Sequence, residues 1–88
     1  MLYFKSEEKQ LTVPAGASTV TITGFPKRDQ WSRRFFAPST STSYCVVTGM
    51  FYEDNGVTLR INNLKTTQNT VNFTILCMYC NDNAFINY

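Results

Sequence analysis

The chain has 88 residues and a formal net charge of +2, which allows one small domain and is too close to neutral to indicate nucleic acid or an anionic membrane as a partner. Aromatic residues make up 15% of the chain and charged residues 16%, so it is too apolar to be disordered and less charged than a typical globular domain. We expect a single domain over residues 1–88. Because a core of this size is marginal, self-association is expected to add to it.

The N-terminal residues, "MLYFKSEEKQ", have no basic start followed by an apolar stretch, so they do not resemble a secretory signal. No run in the chain approaches the roughly 18 apolar residues of a membrane-spanning helix. We therefore expect synthesis in the cytoplasm and no membrane insertion.

Alternation of apolar and polar residues dominates the N-terminal half. A short strand is predicted at residues 11–13, and a second at 18–25, "STVTITGF", which places Val20 and Ile22 on one face and threonines on the other. Residues 27–35, "KRDQWSRRF", predict at most one helical turn. The pattern of the N-terminal half of the chain therefore predicts strands with one buried face.

The middle of the chain contains the most specific local signal. Residues 37–44, "APSTSTSY", predict a solvated loop, and residues 43–54, "SYCVVTGMFYED", are apolar on both faces, which predicts a central strand or one buried in an interface. In that strand Met50 is expected on the same face as Tyr44 and Val46. Asn-Gly at 55–56 then predicts a tight hairpin, because both residues tolerate positive φ.

Two further strands are predicted at residues 57–64 and 70–80, and the tail at 81–88 is interpreted as a last edge strand. Three strands over 44–80 would form a β-meander, and six or seven short strands in all predict an all-β fold, a small antiparallel β-sandwich that is jelly-roll-like or contains a meander. The side chains predicted to face inward are Val57, Leu59, Ile61, Val71, Phe73, Ile75, Cys77 and Tyr79.

Cys77 and Cys80 form a C-x-x-C pair, which raises the question of a metal or redox site. A zinc site needs four ligands, yet the chain has one other cysteine, Cys45, and no histidine, and a set of three thiolates completed by Asp82 would be unusual. Residues 81–83, "NDN", carry too little charge for a good calcium site. Since Cys77 and Cys80 point to opposite faces of a strand, we predict buried thiols and neither a metal nor another cofactor.

Enzymatic patterns are missing from the sequence. Without histidine, neither a Ser-His-Asp nor a Cys-His arrangement is possible. The six acidic residues form no obvious pair of catalytic carboxylates, and no glycine-rich nucleotide motif is present. We therefore expect a protein that is not an enzyme.

Residues 27–34, "KRDQWSRR", place four of the eight positive charges around the only tryptophan. One interpretation is a polar loop in which Asp29 partly neutralises the cations and Trp31 folds back on the core. The other is a contact site, because Trp and Arg commonly anchor protein interfaces or support a sugar ring. The candidate contact residues are Lys27, Arg28, Trp31, Arg33, Arg34 and Tyr52.

Two stretches resemble one family of proteins. Residues 57–82, "VTLRINNLKTTQNTVNFTILCMYCND", and 19–26, "TVTITGFP", are similar to strands of small β-sandwich domains in phage tail fibres and spikes, including those like H-type lectins. The resemblance implies a homotrimeric domain of the virion, made in the host cytoplasm, that recognises a host receptor or glycan or caps a fibre.

Two alternatives remain open. A capsid decoration or fibre-assembly protein would bind another virion protein through a flat apolar surface, whereas a glycan binder would expose Trp31 or Tyr52 in a concave patch. A small barrel that binds single-stranded nucleic acid would lose affinity steeply with salt. We consider nucleic acid the less favoured partner, because no second basic patch extends a groove.

Overall fold

The computed structural model describes residues 2–81 and contains six strands and one 3-10 turn, Arg28–Gln30, in that range. The strands are β1 (Leu2–Val13), β2 (Gly16–Thr23), β3 (Arg33–Thr40), β4 (Cys45–Glu53), β5 (Gly56–Asn63) and β6 (Asn69–Cys80). They form two antiparallel three-stranded sheets: sheet A, in the order β1-β6-β3, and sheet B, in the order β2-β5-β4. The all-β prediction is confirmed, while the predicted edge strand in the tail and the roles considered for Asp82 and Asn83 lie outside the described residues.

The chain crosses from one sheet to the other at every connection except the β4–β5 hairpin. The predicted β-meander over 44–80 is therefore wrong, because β5 and β6 are the central strands of different sheets. Each of these strands has one fully buried apolar face. Two such faces bury each other when they lie in opposite layers, and this arrangement leaves the other strands at the edges.

The core combines alternate residues from both sheets. All eight side chains predicted to face inward from β5 and β6 are at most 1% exposed, which confirms the prediction. Ile22 of β2 and Phe36 of β3 are equally well covered. Together with the other buried residues they form one continuous hydrophobic cluster, so the two sheets are stabilised by a shared core rather than by separate ones.

Strand β4 lies at the edge of sheet B and is not the predicted central strand. A bulge between Val47 and Gly49 shifts its register and moves the later residues to the opposite face. Met50 consequently packs against the core together with Val47, while Tyr44 and Phe51 are exposed. Apolar side chains still lie on the outer face, among them Val46 and Phe51, so the alternative prediction of a strand buried in an interface stays a prediction.

The predicted hairpin is present, but its geometry differs from the expected one. Asp54 and Asn55 form the turn between the paired residues Glu53 and Gly56, and neither Asn55 nor Gly56 has a positive φ. Gly56 is required by space instead, because a Cβ there would overlap the carbonyl oxygen of Ile22 on the neighbouring strand.

Buried asparagines hold the connections at one end of the two layers. The side chain of Asn63, 1% exposed, donates to the carbonyl oxygens of Pro14 and Thr67 at 3.0 Å each and accepts from the backbone N–H of Lys65 at 3.1 Å. Asn69 similarly donates to the carbonyl oxygen of Ser43 at 3.2 Å. These bonds fasten three chain crossings to each other, and a buried amide needs such partners.

Strand β1 is much longer than the predicted 11–13, and β3 replaces part of the loop predicted at 37–44. In β1 the alternation is hidden because Lys5 and Glu7 occupy the positions that face the core side. Lys5 Nζ lies 3.1 Å from Glu7 Oε2 at the edge of the sheet, where both side chains stay partly exposed. The hydrogen bond to Glu7, together with its negative charge, raises the pKa of Lys5.

Candidate ligand-binding pocket

An open pocket of about 310 Å³ lies where β3 begins and β4 ends. Four of the six candidate contact residues line it together with one serine: Arg28, Trp31, Ser32, Arg34 and Tyr52. The fold brings Tyr52 here from a distant position in the sequence. Strand β3 lies in sheet A and β4 in sheet B, and the two are in contact where Tyr52 meets Phe36.

Backbone hydrogen bonds fix the segment that carries Arg28 and Trp31. The N–H of Arg28 donates to the carbonyl oxygen of Asp54 at 2.9 Å, so the 3-10 turn is attached to the β4–β5 hairpin. The N–H of Ser32 donates to the carbonyl oxygen of Cys80 at 2.9 Å, which attaches the same segment to the end of β6. The pocket therefore rests on ordered backbone at both sides.

Trp31 is half-buried and packs against the core. Its ring lies 5.6 Å from the ring of Tyr79, edge to face, and 6.2 Å from the ring of Tyr3 in a tilted arrangement. Both interpretations of this residue thus describe part of its position: it folds back on the core, and it also contributes one wall of the pocket.

Arg34 is held by carbonyl oxygens and aromatic rings. Its Nη1 donates to the carbonyl oxygens of Glu53 at 2.5 Å and Asp54 at 3.2 Å. Its guanidinium carbon lies 5.3 Å from the ring centre of Tyr52 and 6.0 Å from that of Tyr79, within the range of a cation–π contact. These contacts leave the side chain little freedom, so it presents its remaining N–H groups in a fixed orientation.

Tyr52 connects the two sheets beside Arg34. Its hydroxyl oxygen accepts a hydrogen bond from the backbone N–H of Phe36 at 3.2 Å, and the two rings stack edge to face at 5.1 Å. The side chain remains 43% exposed. An exposed ring is therefore fixed at the mouth of the pocket.

Tyr79 lies behind these residues and is fully buried, yet its hydroxyl forms no hydrogen bond of good geometry. Burial raises the pKa of Tyr79, and the nearby guanidinium of Arg34 opposes that rise. Register explains the grouping, because Tyr3, Tyr79 and Arg34 are directly paired across sheet A. The sequence pattern showed that Tyr79 faces inward but contained no signal for its neighbours, which depend on pairing between distant strands.

The two remaining candidates, Lys27 and Arg33, are exposed but do not line the pocket. Arg33 directly precedes Arg34 in β3, so it points to the outer face of sheet A. The four cations of residues 27–34 are therefore divided between different surfaces and do not form one basic groove.

The cysteines are buried thiols. Cys45 and Cys77 both face the core, and burial raises the pKa of each. Cys80 points to the other face of β6 by alternation and is nevertheless 0% exposed. Within residues 2–81, no group of three or more His, Cys, Asp or Glu side chains is placed to hold a metal ion.

A larger depression of about 480 Å³ lies at the other end of sheet A and was not anticipated. Its one aromatic residue, Phe73, is fully buried, so it offers polar groups without an exposed ring. We take the smaller pocket as the candidate site because it combines exposed rings with cations. The larger depression is lined by Glu8, Lys9, Gln10, Ser41, Asn72, Phe73 and Thr74.

Comparison of the chain with models of protein families, with curated proteins and with solved structures gives no match. Among residues 2–81, no helix has the length and apolar character needed to cross a membrane.

Proposed function

We propose that this protein is a non-enzymatic β-sandwich module of a phage virion that recognises a glycan on the host surface through the pocket described above. The observation that carries the proposal is the combination, in one pocket, of the rings of Trp31 and Tyr52 with the cations of Arg28 and Arg34. Aromatic rings pack on the apolar face of a sugar, while guanidinium groups bind its polar substituents.

The donors around the pocket favour an acidic sugar. Arg28, Arg34 and the hydroxyl of Ser32 line it, and among residues 2–81 no carboxylate side chain does. A carboxylate accepts hydrogen bonds from several donors at once and pairs well with guanidinium, so the proposed ligand is a carboxylated sugar such as a uronic acid.

The virion part of the proposal is supported by the resemblance of residues 19–26 and 57–82 to strands of tail-fibre and spike domains. The low fraction of charged residues is compatible with a protein that works inside a larger assembly. A phage meets acidic polysaccharides at the surface of its host, and this agrees with the ligand chemistry.

The test begins with an array of bacterial capsular and lipopolysaccharide oligosaccharides in carboxylated and neutral forms. Trp31 is the only tryptophan, so its fluorescence reports occupancy of the pocket when the best binder is titrated. We expect the carboxylated form to bind more tightly than its neutral counterpart. Failure of the protein to bind any acidic glycan on the array would refute the proposal.

Arg28→Gln and Arg33→Gln form a matched pair of variants. Both remove one positive charge from an exposed position, but only Arg28 lines the pocket. Loss of a charge-assisted hydrogen bond costs about 1.5–3 kcal/mol, so Arg28→Gln should weaken binding roughly 10- to 100-fold. Arg33→Gln should leave it within about twofold at physiological salt. Equal losses in both variants, together with binding of single-stranded oligonucleotides, would support the nucleic-acid alternative instead.

A further inference from the structure

The outer face of sheet A carries a continuous apolar patch at one end. Phe4, Met78 and Phe35 are paired with each other across β1, β6 and β3, and the phenylalanines are 59% and 52% exposed. Leu2, 58% exposed, and Leu76, 36% exposed, lie in the adjacent rows. A contiguous apolar patch of a few hundred Å² often marks a contact with another molecule.

The outer face of sheet B differs, although the two sheets have the same number of strands. Its central region consists of threonines, and the hydroxyls of Thr21 and Thr58 are hydrogen bonded to each other at 2.9 Å. Its exposed apolar side chains, Val46 and Phe51, lie on the edge strand β4, and the guanidinium of Arg60 stacks on the Phe51 ring at 4.8 Å from its centre. No apolar row crosses all three strands on this face, as Phe4, Met78 and Phe35 cross sheet A.

The edges of sheet A are unsuited to strand addition. β3 contains Pro38, which has no N–H to offer a further strand. β1 carries the ion pair of Lys5 and Glu7 at positions that face the core side, a device that disfavours pairing at an edge. Association of this sheet with another molecule is therefore expected through its face.

We propose that a second copy of this chain covers the patch and forms a two-fold dimer, with the axis parallel to β6 and close to Met78. Rotation about such an axis places Phe4 of one copy against Phe35 of the other, because these residues flank Met78 on either side. In the adjacent row it places Leu2 against Arg33, whose aliphatic stem can pack on the leucine while its charged group stays at the rim. The patch is thus complementary to itself, as an isologous interface requires. In a ring of three copies the contact is heterologous, so the patch would have to meet a different surface of the next copy and not itself.

The area of the patch indicates a weak dimer. Each phenylalanine contributes about 100 Å² and the whole patch roughly 400–500 Å² per copy, from the usual area of a buried aromatic side chain. Two copies would bury about 800–1,000 Å², near the lower limit for a specific interface. We therefore expect a weak dimer that dissociates in the micromolar to millimolar range. This dimer replaces the trimer implied by the family resemblance and does not depend on the proposed glycan site.

Sedimentation equilibrium from about 1 µM to about 1 mM tests the proposal, since this range brackets the expected dissociation constant. The mass should rise from 10.1 kDa to twice that value with increasing concentration. Phe4→Ser and Phe35→Ser should each raise the dissociation constant more than about tenfold. Phe51→Ser, a matched change on the outer face of sheet B, should leave it unchanged, and thermal melting of each variant checks that the fold is retained.

Cross-linking locates the axis. Leu76→Cys introduces an exposed thiol close to it, whereas the native thiols are buried and should not compete. A short bismaleimide should link two copies of this variant and fail to link Thr19→Cys, on sheet B. A trimeric mass, or a dimer that survives both phenylalanine changes, would overturn the proposal. A monomer at every concentration would also overturn it and would leave another virion protein as the partner of the patch.

Discussion

Replacement of Asn63 by alanine should destabilise the protein more than its single amide suggests. The side chain forms three hydrogen bonds that join the β1–β2 and β5–β6 connections: two donated to Pro14 and Thr67 and one accepted from Lys65. Asn63 is 1% exposed, so solvent does not reach the place of its side chain. Asn63→Ala removes all three bonds and leaves a small void.

The expected loss follows from those bonds. Each contributes about 0.5–1.5 kcal/mol net, and the partner groups belong to exposed residues that can regain water, so no full burial penalty applies to them. The free energy of unfolding should fall by about 2–3 kcal/mol. For a domain of this length, that corresponds to a fall in Tm of about 10–20 °C.

Urea unfolding followed by circular dichroism measures the loss, with Asn62→Ala as the control. Asn62 is the neighbouring residue, half-buried on the outer side of β5, and its side chain forms no hydrogen bond among residues 2–81. Asn62→Ala should change the free energy of unfolding by less than about 0.5 kcal/mol. A loss for Asn63→Ala no larger than that would refute the role assigned to its hydrogen bonds.

In the same urea assay, Gly56→Ala should lower the free energy of unfolding by about 2–4 kcal/mol, because the new Cβ would overlap the backbone of the neighbouring strand. The control Gly49→Ala should lower it by less than about 0.5 kcal/mol, because its Cβ would meet only a flexible arginine side chain at 3.4 Å. Native protein at pH 8 should react slowly with Ellman's reagent and show all three thiols only after unfolding, so one rapidly reacting thiol would contradict the burial of Cys45, Cys77 or Cys80. Burial raises the pKa of Cys77, so its thiol stays protonated in the folded chain at a pH where a thiol in the unfolded chain loses its proton. The free energy of unfolding should therefore fall as the pH rises above about 9. A constant free energy of unfolding between pH 8 and 10, measured with urea, would argue against that pKa shift.

The inward faces of β5 and β6 could be predicted because alternation is unbroken within each strand, from Val57 to Ile61 and from Val71 to Tyr79. The extent of β1 could not, since Lys5 and Glu7 occupy inward positions at an open edge and interrupt the pattern. The face of Met50 was missed because one extra residue in a bulge reverses the alternation, and no residue type marks that point.

The candidate site shows the same limit. Local composition was sufficient to select Trp31 and its basic neighbours as contact residues. It could not show that Arg34 lines the pocket and Arg33 does not. The two side chains point to opposite faces because both lie in β3, and that strand was not predicted to begin at Arg33. The contribution of Tyr79 depends on the register of β6 between β1 and β3, which is a property of pairing between distant strands.

The position of β6 at the centre of sheet A affects the order in which the chain can fold. All strands of sheet B lie within residues 16–63, so they can pair with each other before β6 joins the fold. β1 and β3 have no partner in their own sheet until then, because both pair only with β6, and the pairing of Leu2 with Cys80 spans nearly the whole described chain. Closure of such distant contacts is slow. We expect the fold to be completed when β6 pairs with both strands. Before that step Phe4 and Phe35 lie on unpaired strands, and such unpaired apolar strands favour aggregation.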